Sequence, residues 1–129
     1  MDNSLLIQKA KEAMENSYAP YSKFSVGAAL ITKNGEVYTG CNIENASYGA
    51  TNCAERTAFF KAISEGERSF SKIAIVSSSN DFTFPCGICA QVMAEFMFDG
   101  EIVLCKDNDI KVYKVSEILP YAFKSDDLK

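Results

Sequence analysis

The sequence contains no histidine. Without histidine, neither a Ser-His nor a Cys-His pair can activate a nucleophile. A tight zinc site would have to use cysteine, with aspartate or glutamate as possible additional ligands. The chain also lacks a surplus of basic residues, since its formal net charge is −4. Proteins that bind nucleic acids usually carry a basic surface, so we expect no nucleic-acid partner.

Long apolar runs and a basic N-terminus are missing too. No stretch is long and apolar enough to span a bilayer, and the first residues, MDNS, lack the basic region of a signal peptide. We therefore expect no membrane partner and a cytoplasmic location, where thiols stay reduced. Five cysteines, an odd number, fit poorly with a disulfide framework, so they need another explanation.

The length and composition are those of one globular domain. With 129 residues, of which 47% are hydrophobic, the chain can bury a core, and we expect a single domain over residues 1–129. Apolar periodicity and turn residues predict helices over 4–17, 53–65 and 86–97, a helical turn over 116–119, and strands over 26–32, 36–42, 72–77, 101–105 and 110–115. Strands that alternate with helices favour an α/β fold with helices on both faces of the sheet.

Local signals set the expected ends of these elements. Asn34-Gly35 lies between two extended runs and predicts a hairpin. We expect Ser4 to cap the first helix, and Thr51 or Asn52 to cap the second, which Gly66 would end. Pro85 is expected in the first turn of the third helix.

Two short segments carry the chemistry, namely TNCAER at 51–56 and PCGIC at 85–89. Cys86 and Cys89 are spaced to chelate one ion from a first helical turn, and Cys53 would occupy a similar position on the preceding helix. Thiolates at these places face the positive ends of two helix dipoles. Three protein ligands leave a fourth position for water, which is the catalytic rather than the structural zinc pattern.

The residues after Cys53 fit the same interpretation. Glu55 projects from the same helix start and can take a proton from water at the metal and hand it on. Three thiolates and Zn²⁺ sum to a charge of −1, which makes that water less acidic. Arg56 is placed to donate hydrogen bonds to the thiolates and so to withdraw charge from them.

Other interpretations of these residues remain open at this point. A lone Cys-x-x-Cys could be a structural zinc corner or a redox pair. Cys41 and Cys105 fall within strand-like runs and are expected to be core residues rather than ligands. A zinc-binding module without enzymatic activity is a further alternative, although a purely structural site has no need of an acid such as Glu55.

The combination of CAER with PCxxC resembles the cytidine deaminase family, in its small homotetrameric branch. Further segments resemble the family in the same order, namely YSKFSVGAAL at 21–30, GCNIENASYG at 40–49 and LPYAF at 119–123. The resemblance implies a three-layer α-β-α sandwich around a mixed five-stranded sheet, with one Zn²⁺ per chain on Cys53, Cys86 and Cys89. It also implies hydrolytic deamination of cytidine and 2′-deoxycytidine in pyrimidine salvage, by attack of zinc-activated water on C4 with Glu55 shuttling protons.

The resemblance also assigns residues to the substrate. Asn42 and Glu44 resemble the pair that holds the ribose hydroxyls, and Phe24 resembles an aromatic wall beside the cytosine. The backbone of Ala54 and the side chain of Glu55 resemble the groups that read the edge of the base. A deaminase for another substrate, such as a cytosine-containing nucleoside antibiotic, is an alternative that the segment 42–45 disfavours.

Three further residues are expected to act across subunits. Tyr48 and Gly49 resemble main-chain contacts to the 5′ end of a nucleoside in a neighbouring site, and Phe123 resembles a ring that stacks on the base from another subunit. The resemblance therefore implies a homotetramer with shared active sites. One position departs from the family, since Ala90 follows the last zinc cysteine where an arginine is usual.

Overall fold

The computed structural model describes residues 1–128. Four helices and five strands follow one another in the order α1 Asn3–Met14, β1 Val26–Thr32, β2 Val37–Cys41, α2 Ala54–Ser64, β3 Phe70–Ser77, α3 Gly87–Met97, β4 Glu101–Lys106, β5 Asp109–Lys114 and α4 Val115–Ile118. Two short 3₁₀ segments, Tyr48–Ala50 and Ser125–Leu128, complete the set. Within this part of the chain, no helix is long and apolar enough to cross a membrane.

The five strands form one mixed sheet in the order β2-β1-β3-β4-β5. β1 pairs antiparallel with β2 and β3, and β4 pairs antiparallel with β5. Only β3 and β4 run parallel, and α3 lies in the connection between them. The predicted three-layer architecture around a mixed five-stranded sheet is confirmed.

Helices cover both faces of the sheet, and alternate strand residues point to opposite sides. Every residue of β1 is buried, because this strand lies inside the sheet with helices above and below it. On one side, Leu30, Ile73 and Leu104 pack with α2 and α3, whose largest buried side chain is Phe59. The residues on the other side form a separate cluster with α1, namely Leu6, Ile7, Ala10, Ala29, Ile31, Ala74, Val76 and Val103.

The strand predictions and the hairpin are confirmed to within two residues, but the first helix begins differently. Ser4 was expected as its cap and lies instead inside the first turn. Asp2 is the N-cap, because its backbone is extended and its carboxylate accepts a hydrogen bond from the backbone N of Leu5 at 2.9 Å. The predicted cap at Ser4 is therefore wrong.

The starts of α2 and α3 also correct the prediction. Cys53 is the N-cap of α2, so neither Thr51 nor Asn52 has that position. Cys86 is the N-cap of α3, and its sulfur accepts from the backbone N of Cys89 at 3.4 Å, which leaves Pro85 before the helix. Two cysteines thus occupy the positions where serine, threonine, aspartate or asparagine are usual.

Two glycines allow helices to lie unusually close to the sheet. A Cβ at Gly40 in β2 would be 2.5 Å from the backbone O of Ala54 and 2.6 Å from the backbone N of Ala58, so α2 rests directly on this strand. A Cβ at Gly27 in β1 would be 2.1 Å from the backbone O of Ala10 in α1. Both contacts exclude any larger residue without a shift of the helix.

Candidate active site

Three cysteine sulfurs meet where α2 and α3 begin. Cys53 is the N-cap of α2, Cys86 is the N-cap of α3, and Cys89 lies in the first turn of α3. All three Sγ atoms lie within 4.8 Å of one another. The positive ends of two helix dipoles therefore face one cluster of thiols, which favours the thiolate forms.

The cluster has the chemistry and the spacing of a zinc site. In a tetrahedral site with Zn–S bonds of ~2.3 Å, two sulfurs would be ~3.8 Å apart. The Sγ atoms of Cys53 and Cys86 are 3.8 Å apart. Thiolate is a preferred zinc ligand, and three such ligands leave one coordination position for a small molecule. The residues therefore fit a catalytic zinc ion.

Arg56 supports this cluster with positive charge. Its Nη2 donates to the Sγ of Cys53 at 3.3 Å, and this hydrogen bond raises the pKa of the guanidinium. A hydrogen bond from Cys89 and one from Arg56 lower the pKa of Cys53 to about 5. The hydrogen bond to Cys53 and burial raise the pKa of Cys89. Of these two thiols, Cys53 is thus the one that ionises first, and the proton stays with Cys89.

The Nε of Arg56 is buried and has no hydrogen-bond partner within residues 1–128. Ala90, in α3 beside this cluster, is buried in the core and carries no polar group. Position 90, where the family pattern has an arginine, therefore offers only a methyl group. The arginine that contacts the thiols is Arg56.

Glu55 is a carboxylate placed in a dry environment at the same helix start. Its side chain is only 5% exposed, and it lies in the first turn of α2, two residues after Cys53. Burial raises the pKa of Glu55 to about 7. A carboxyl group with such a pKa can both take up and release a proton near neutral pH.

A cavity of about 210 Å³ opens over these groups. Its lining comes from the loop before β1, the end of β2, the start of α2 and the loop before α3, and includes Phe24, Asn42, Glu44, Cys53, Ala54, Glu55 and Cys86. Seven residues that were predicted as ligands, acid or substrate contacts therefore line one space. Cys89, the third residue of the sulfur cluster, and Arg56, which donates to Cys53, do not line this cavity.

Asn42 is held rigidly at the floor of this cavity. Its Oδ1 accepts hydrogen bonds from the backbone N of Val26 at 2.9 Å and from the Oγ of Ser17 at 2.5 Å. Its Nδ2 donates to the backbone O of Phe24 at 2.7 Å. Both acceptor positions of the amide oxygen are thus used, and one N–H remains for another partner.

Glu44 is held by the turn that precedes Phe24. Its Oε1 accepts from the backbone N of Tyr21 at 3.0 Å and of Ser22 at 3.1 Å, and its Oε2 accepts from the Oγ of Ser22. These hydrogen bonds, the one from the Ser22 side chain above all, lower the pKa of Glu44. The carboxylate therefore stays ionised at neutral pH and keeps an acceptor position free.

Three predicted residues lie apart from the main cavity. Tyr48 lines an adjoining cavity of about 390 Å³, which shares Ser22, Glu44 and Thr51 with the first. Gly49 is exposed in the 3₁₀ segment Tyr48–Ala50. Phe123 is 58% exposed and lines neither cavity, and its backbone O accepts from Gln91.

Sequence reasoning missed several residues of the cavity lining. Ser22 and Phe84 are the most informative of them, since Ser22 binds Glu44 and Phe84 places a half-exposed ring beside Cys86. Ser22 lies within the segment 21–30 that resembles the family, and Phe84 directly precedes the segment 85–89. These positions are the one signal in the sequence that points to the two residues.

A larger cavity, of about 530 Å³, lies elsewhere. It is at the opposite end of the sheet, between the starts of β3 and β4, and its lining includes Lys33, Arg68, Lys72 and Lys114 together with Asp99 and Glu101. No cluster of metal-ligating side chains occurs there among the described residues. The chemistry is therefore concentrated at the sulfur cluster.

Comparison with known proteins agrees with this geometry. Residues 1–106 match the family model described as the cytidine and deoxycytidylate deaminase zinc-binding region. The chain is 50% identical over 131 residues to a cytidine deaminase of Sporosarcina psychrophila (99% of this chain, 96% of that one) and 52% identical over 130 residues to one of Halalkalibacterium halodurans (99% and 98%). A crystal structure of cytidine deaminase from Burkholderia pseudomallei superposes with a TM-score of 0.92 at 49% identity, covering 95% of this chain and all of that one.

Proposed function

Since the chain belongs to the cytidine and deoxycytidylate deaminase family, we propose that it hydrolyses cytidine and 2′-deoxycytidine at C4 of the base. Water and the nucleoside give uridine or 2′-deoxyuridine and ammonia. The observation that carries the proposal is a buried carboxylate, Glu55, beside three clustered sulfurs at the base of a cavity.

Zinc is the cofactor that this family and this sulfur cluster require, and Cys53, Cys86 and Cys89 would hold it. When bound, a zinc ion with three protein ligands makes water nucleophilic near neutral pH. Arg56 would withdraw charge from the Cys53 sulfur through its hydrogen bond. Because Ala90 carries no charge at the position where an arginine is usual, Arg56 is the residue that offsets the negative charge of the three thiolates.

Glu55 is the group that moves protons in this proposal. Its carboxylate takes one proton from the attacking water and delivers it to the ring nitrogen. It then takes the proton of the hydroxyl group formed at C4 and delivers it to the amino group, which leaves as ammonia while the C4 carbonyl forms. A pKa raised to about 7 by burial suits both directions of transfer. The neighbouring backbone of Ala54, fully buried at the helix start, would align the edge of the base.

The sugar would be read by Asn42 and Glu44, with Phe24 beside the base. After their contacts within the protein, Asn42 retains one N–H donor and Glu44 retains an acceptor position. A donor next to an acceptor matches a single hydroxyl group, which can accept one hydrogen bond and donate another. A nucleoside that lacks one of its two ring hydroxyls can still satisfy both residues, which supports activity on 2′-deoxycytidine.

Release of ammonia from cytidine tests the proposed function. We expect turnover by the wild-type protein, one zinc per chain, and a loss of ~10²–10⁴-fold in kcat for Glu55→Gln, which cannot carry the proton. Glu65→Gln, at the exposed end of α2, is the matched control and should keep wild-type turnover. Finding no ammonia release by wild type, or near-normal turnover by Glu55→Gln, would contradict the assignment.

We further propose that the enzyme is a homotetramer whose sites are shared between chains. Tyr48 is 75% exposed, Tyr121 is 98% exposed and Phe123 is 58% exposed, although aromatic side chains of this size are usually well buried. The cavity over Glu55 is open, and a small ligand needs most of its surface covered. Phe123 and the Tyr48–Gly49 backbone of neighbouring chains would supply that cover.

Subunit mixing tests the shared site. Glu55→Gln chains and Phe123→Ala chains are dissociated, mixed and reassembled, and some mixed oligomers should recover a site with Glu55 from one chain and Phe123 from another. Activity that never exceeds the sum of the two variants, although mixed oligomers form, would refute sharing. The five cysteines, all free, support a cytoplasmic location, which cell fractionation can test.

A further inference from the structure

A tight turn at the mouth of the cavity links the sugar-binding carboxylate to the aromatic wall. The Oγ of Ser22 donates to the Oε2 of Glu44, and it accepts from the backbone N of Phe24 at 3.0 Å. Ser22 also lines both the main cavity and the adjoining one. One hydroxyl group therefore contacts two residues that the proposed function assigns to the sugar and to the base.

The backbone of this turn is strained. Lys23, between Ser22 and Phe24, has φ = +60°, in the left-handed region that glycine adopts easily and lysine rarely does. Such a conformation persists only where its surroundings hold it firmly. Here the hydrogen bonds of Glu44 to the backbone of Tyr21 and Ser22 provide that restraint.

The hydrogen bonds around Ser22 determine which atom its hydroxyl group donates to. A serine hydroxyl has a single hydrogen, and in Ser22 the Oε2 of Glu44 takes it, because the other acceptor within reach, the backbone O of Phe24, is 3.5 Å away. Glu44 accepts three hydrogen bonds from this turn and has about four acceptor positions, so the remaining position belongs to Oε2, the atom that Ser22 holds. Ser22 thereby sets where the free acceptor of Glu44 points.

We propose that Ser22 is a positioning residue for nucleoside selection, which aims the carboxylate of Glu44 at a sugar hydroxyl and fixes its location relative to Phe24. The inference rests on the proposed function, because it needs a substrate with a sugar. Without the Ser22 hydroxyl, Glu44 keeps its two backbone contacts but loses the restraint on Oε2, so recognition of the hydroxyl weakens while the chemistry at C4 does not.

The test compares cytidine with 2′,3′-dideoxycytidine, which lacks both ring hydroxyls. The measured quantity is the selectivity ratio, kcat/KM for cytidine divided by kcat/KM for the dideoxynucleoside. We expect Ser22→Ala to lower this ratio by about tenfold, mainly through the KM for cytidine, as for loss of a hydrogen bond to a charged group. Ser22→Thr keeps the hydroxyl and should restore the ratio. Ser64→Ala removes a hydroxyl at the far end of α2 and should change nothing.

Two further measurements separate positioning from a merely structural role. In a Glu44→Gln background, Ser22→Ala should lower the ratio no further, because the two residues act as one unit. By ¹³C NMR, the Glu44 carboxyl group should titrate at a higher pH in Ser22→Ala than in wild type, a readout that needs no turnover. If Ser22→Ala does not fold, Ser22→Cys, whose thiol is a weak donor, should lower the ratio to an intermediate value.

The outcomes are distinguishable. Equal losses for both nucleosides, an unchanged ratio in Ser22→Cys, or an unshifted Glu44 titration would overturn the role of Ser22 while leaving the deaminase intact. Absence of ammonia release by the wild-type protein would instead refute the proposed function, and the Glu44 titration would still decide whether Ser22 holds the carboxylate.

Discussion

The contact between α2 and β2 at Gly40 should govern the geometry of the active site. In Gly40→Ala, the new methyl group would lie 2.5 Å from the backbone O of Ala54 and 2.6 Å from the backbone N of Ala58, against an ordinary contact of at least 3.4 Å. Both atoms belong to the backbone and cannot rotate away. The start of α2 must therefore retreat by about 1 Å, which is the difference between these contact distances.

This displacement has two expected consequences. Overpacking of this kind costs ~1–3 kcal/mol of unfolding free energy. Because Cys53 caps α2 and Glu55 lies in its first turn, the same shift would misplace a proposed zinc ligand and the proposed proton carrier, and a displacement of ~1 Å can lower turnover by ~10²-fold. Zinc content should fall as well, since the sulfur of Cys53 moves relative to those of α3.

Gly27→Ala is the matched control. Its methyl group would clash with the backbone of α1, at 2.1 Å from the O of Ala10, so its cost in stability should be at least as large. α1 contributes no residue to the cavity, so kcat of the folded fraction should stay near the wild-type value. Urea unfolding, zinc analysis and kcat at low temperature are measured for both variants. Wild-type kcat in Gly40→Ala, or an equal loss of kcat in Gly27→Ala, would refute the reasoning.

Three further predictions concern single residues. In protein stripped of metal, the Glu55 carboxyl keeps its proton up to about pH 7 when the chain is folded but releases it near pH 4.5 when the chain is unfolded. The free energy of unfolding of the wild type should therefore fall relative to that of Glu55→Gln as the pH rises between these values. Urea unfolding that shows the same pH dependence for both proteins would contradict this. Arg56→Ala should weaken zinc retention or turnover ~10–100-fold and shift the activating limb of the pH–rate profile to higher pH, whereas an unchanged profile with full zinc content would exclude this role. Leu6→Ala in the fully buried α1 cluster should cost ~2–5 kcal/mol in urea unfolding with kcat unchanged, and a parallel loss of kcat would show that α1 does reach the site.

The sequence predicts the architecture well because its strongest signals are local. Asn34-Gly35 marks the hairpin between β1 and β2, and the strands on either side read as continuous apolar or alternating runs. Cys86 and Cys89 are three residues apart and need only one helical turn to meet. Their encounter with Cys53 depends on the path of the sheet, and the resemblance of both segments to one family bridged that gap.

The remaining features depend on contacts that spacing does not encode. Cap preferences favour Thr51 or Asn52, yet Cys53 is the cap, because the meeting of two helix starts decides where α2 begins. The contact between Ser22 and Glu44 joins residues 22 positions apart, and it requires a left-handed conformation that lysine does not signal. The proposed position of Phe123 on the base would depend on neighbouring chains, and in the single chain Phe123 is 58% exposed.

Because the two hydrophobic clusters lie on opposite faces of the sheet, residues of one cluster can be mutated without altering the active site on the other face. The cluster under α1 contains none of the side chains proposed to act on zinc or nucleoside, which lie on or beyond the other layer. Mutations between residues 3 and 14 can therefore adjust the melting temperature while the chemistry is left alone. Variants with altered substrate range, which commonly lose stability, could be rescued by improving the packing of α1, and this layer is where directed evolution of the enzyme would best begin.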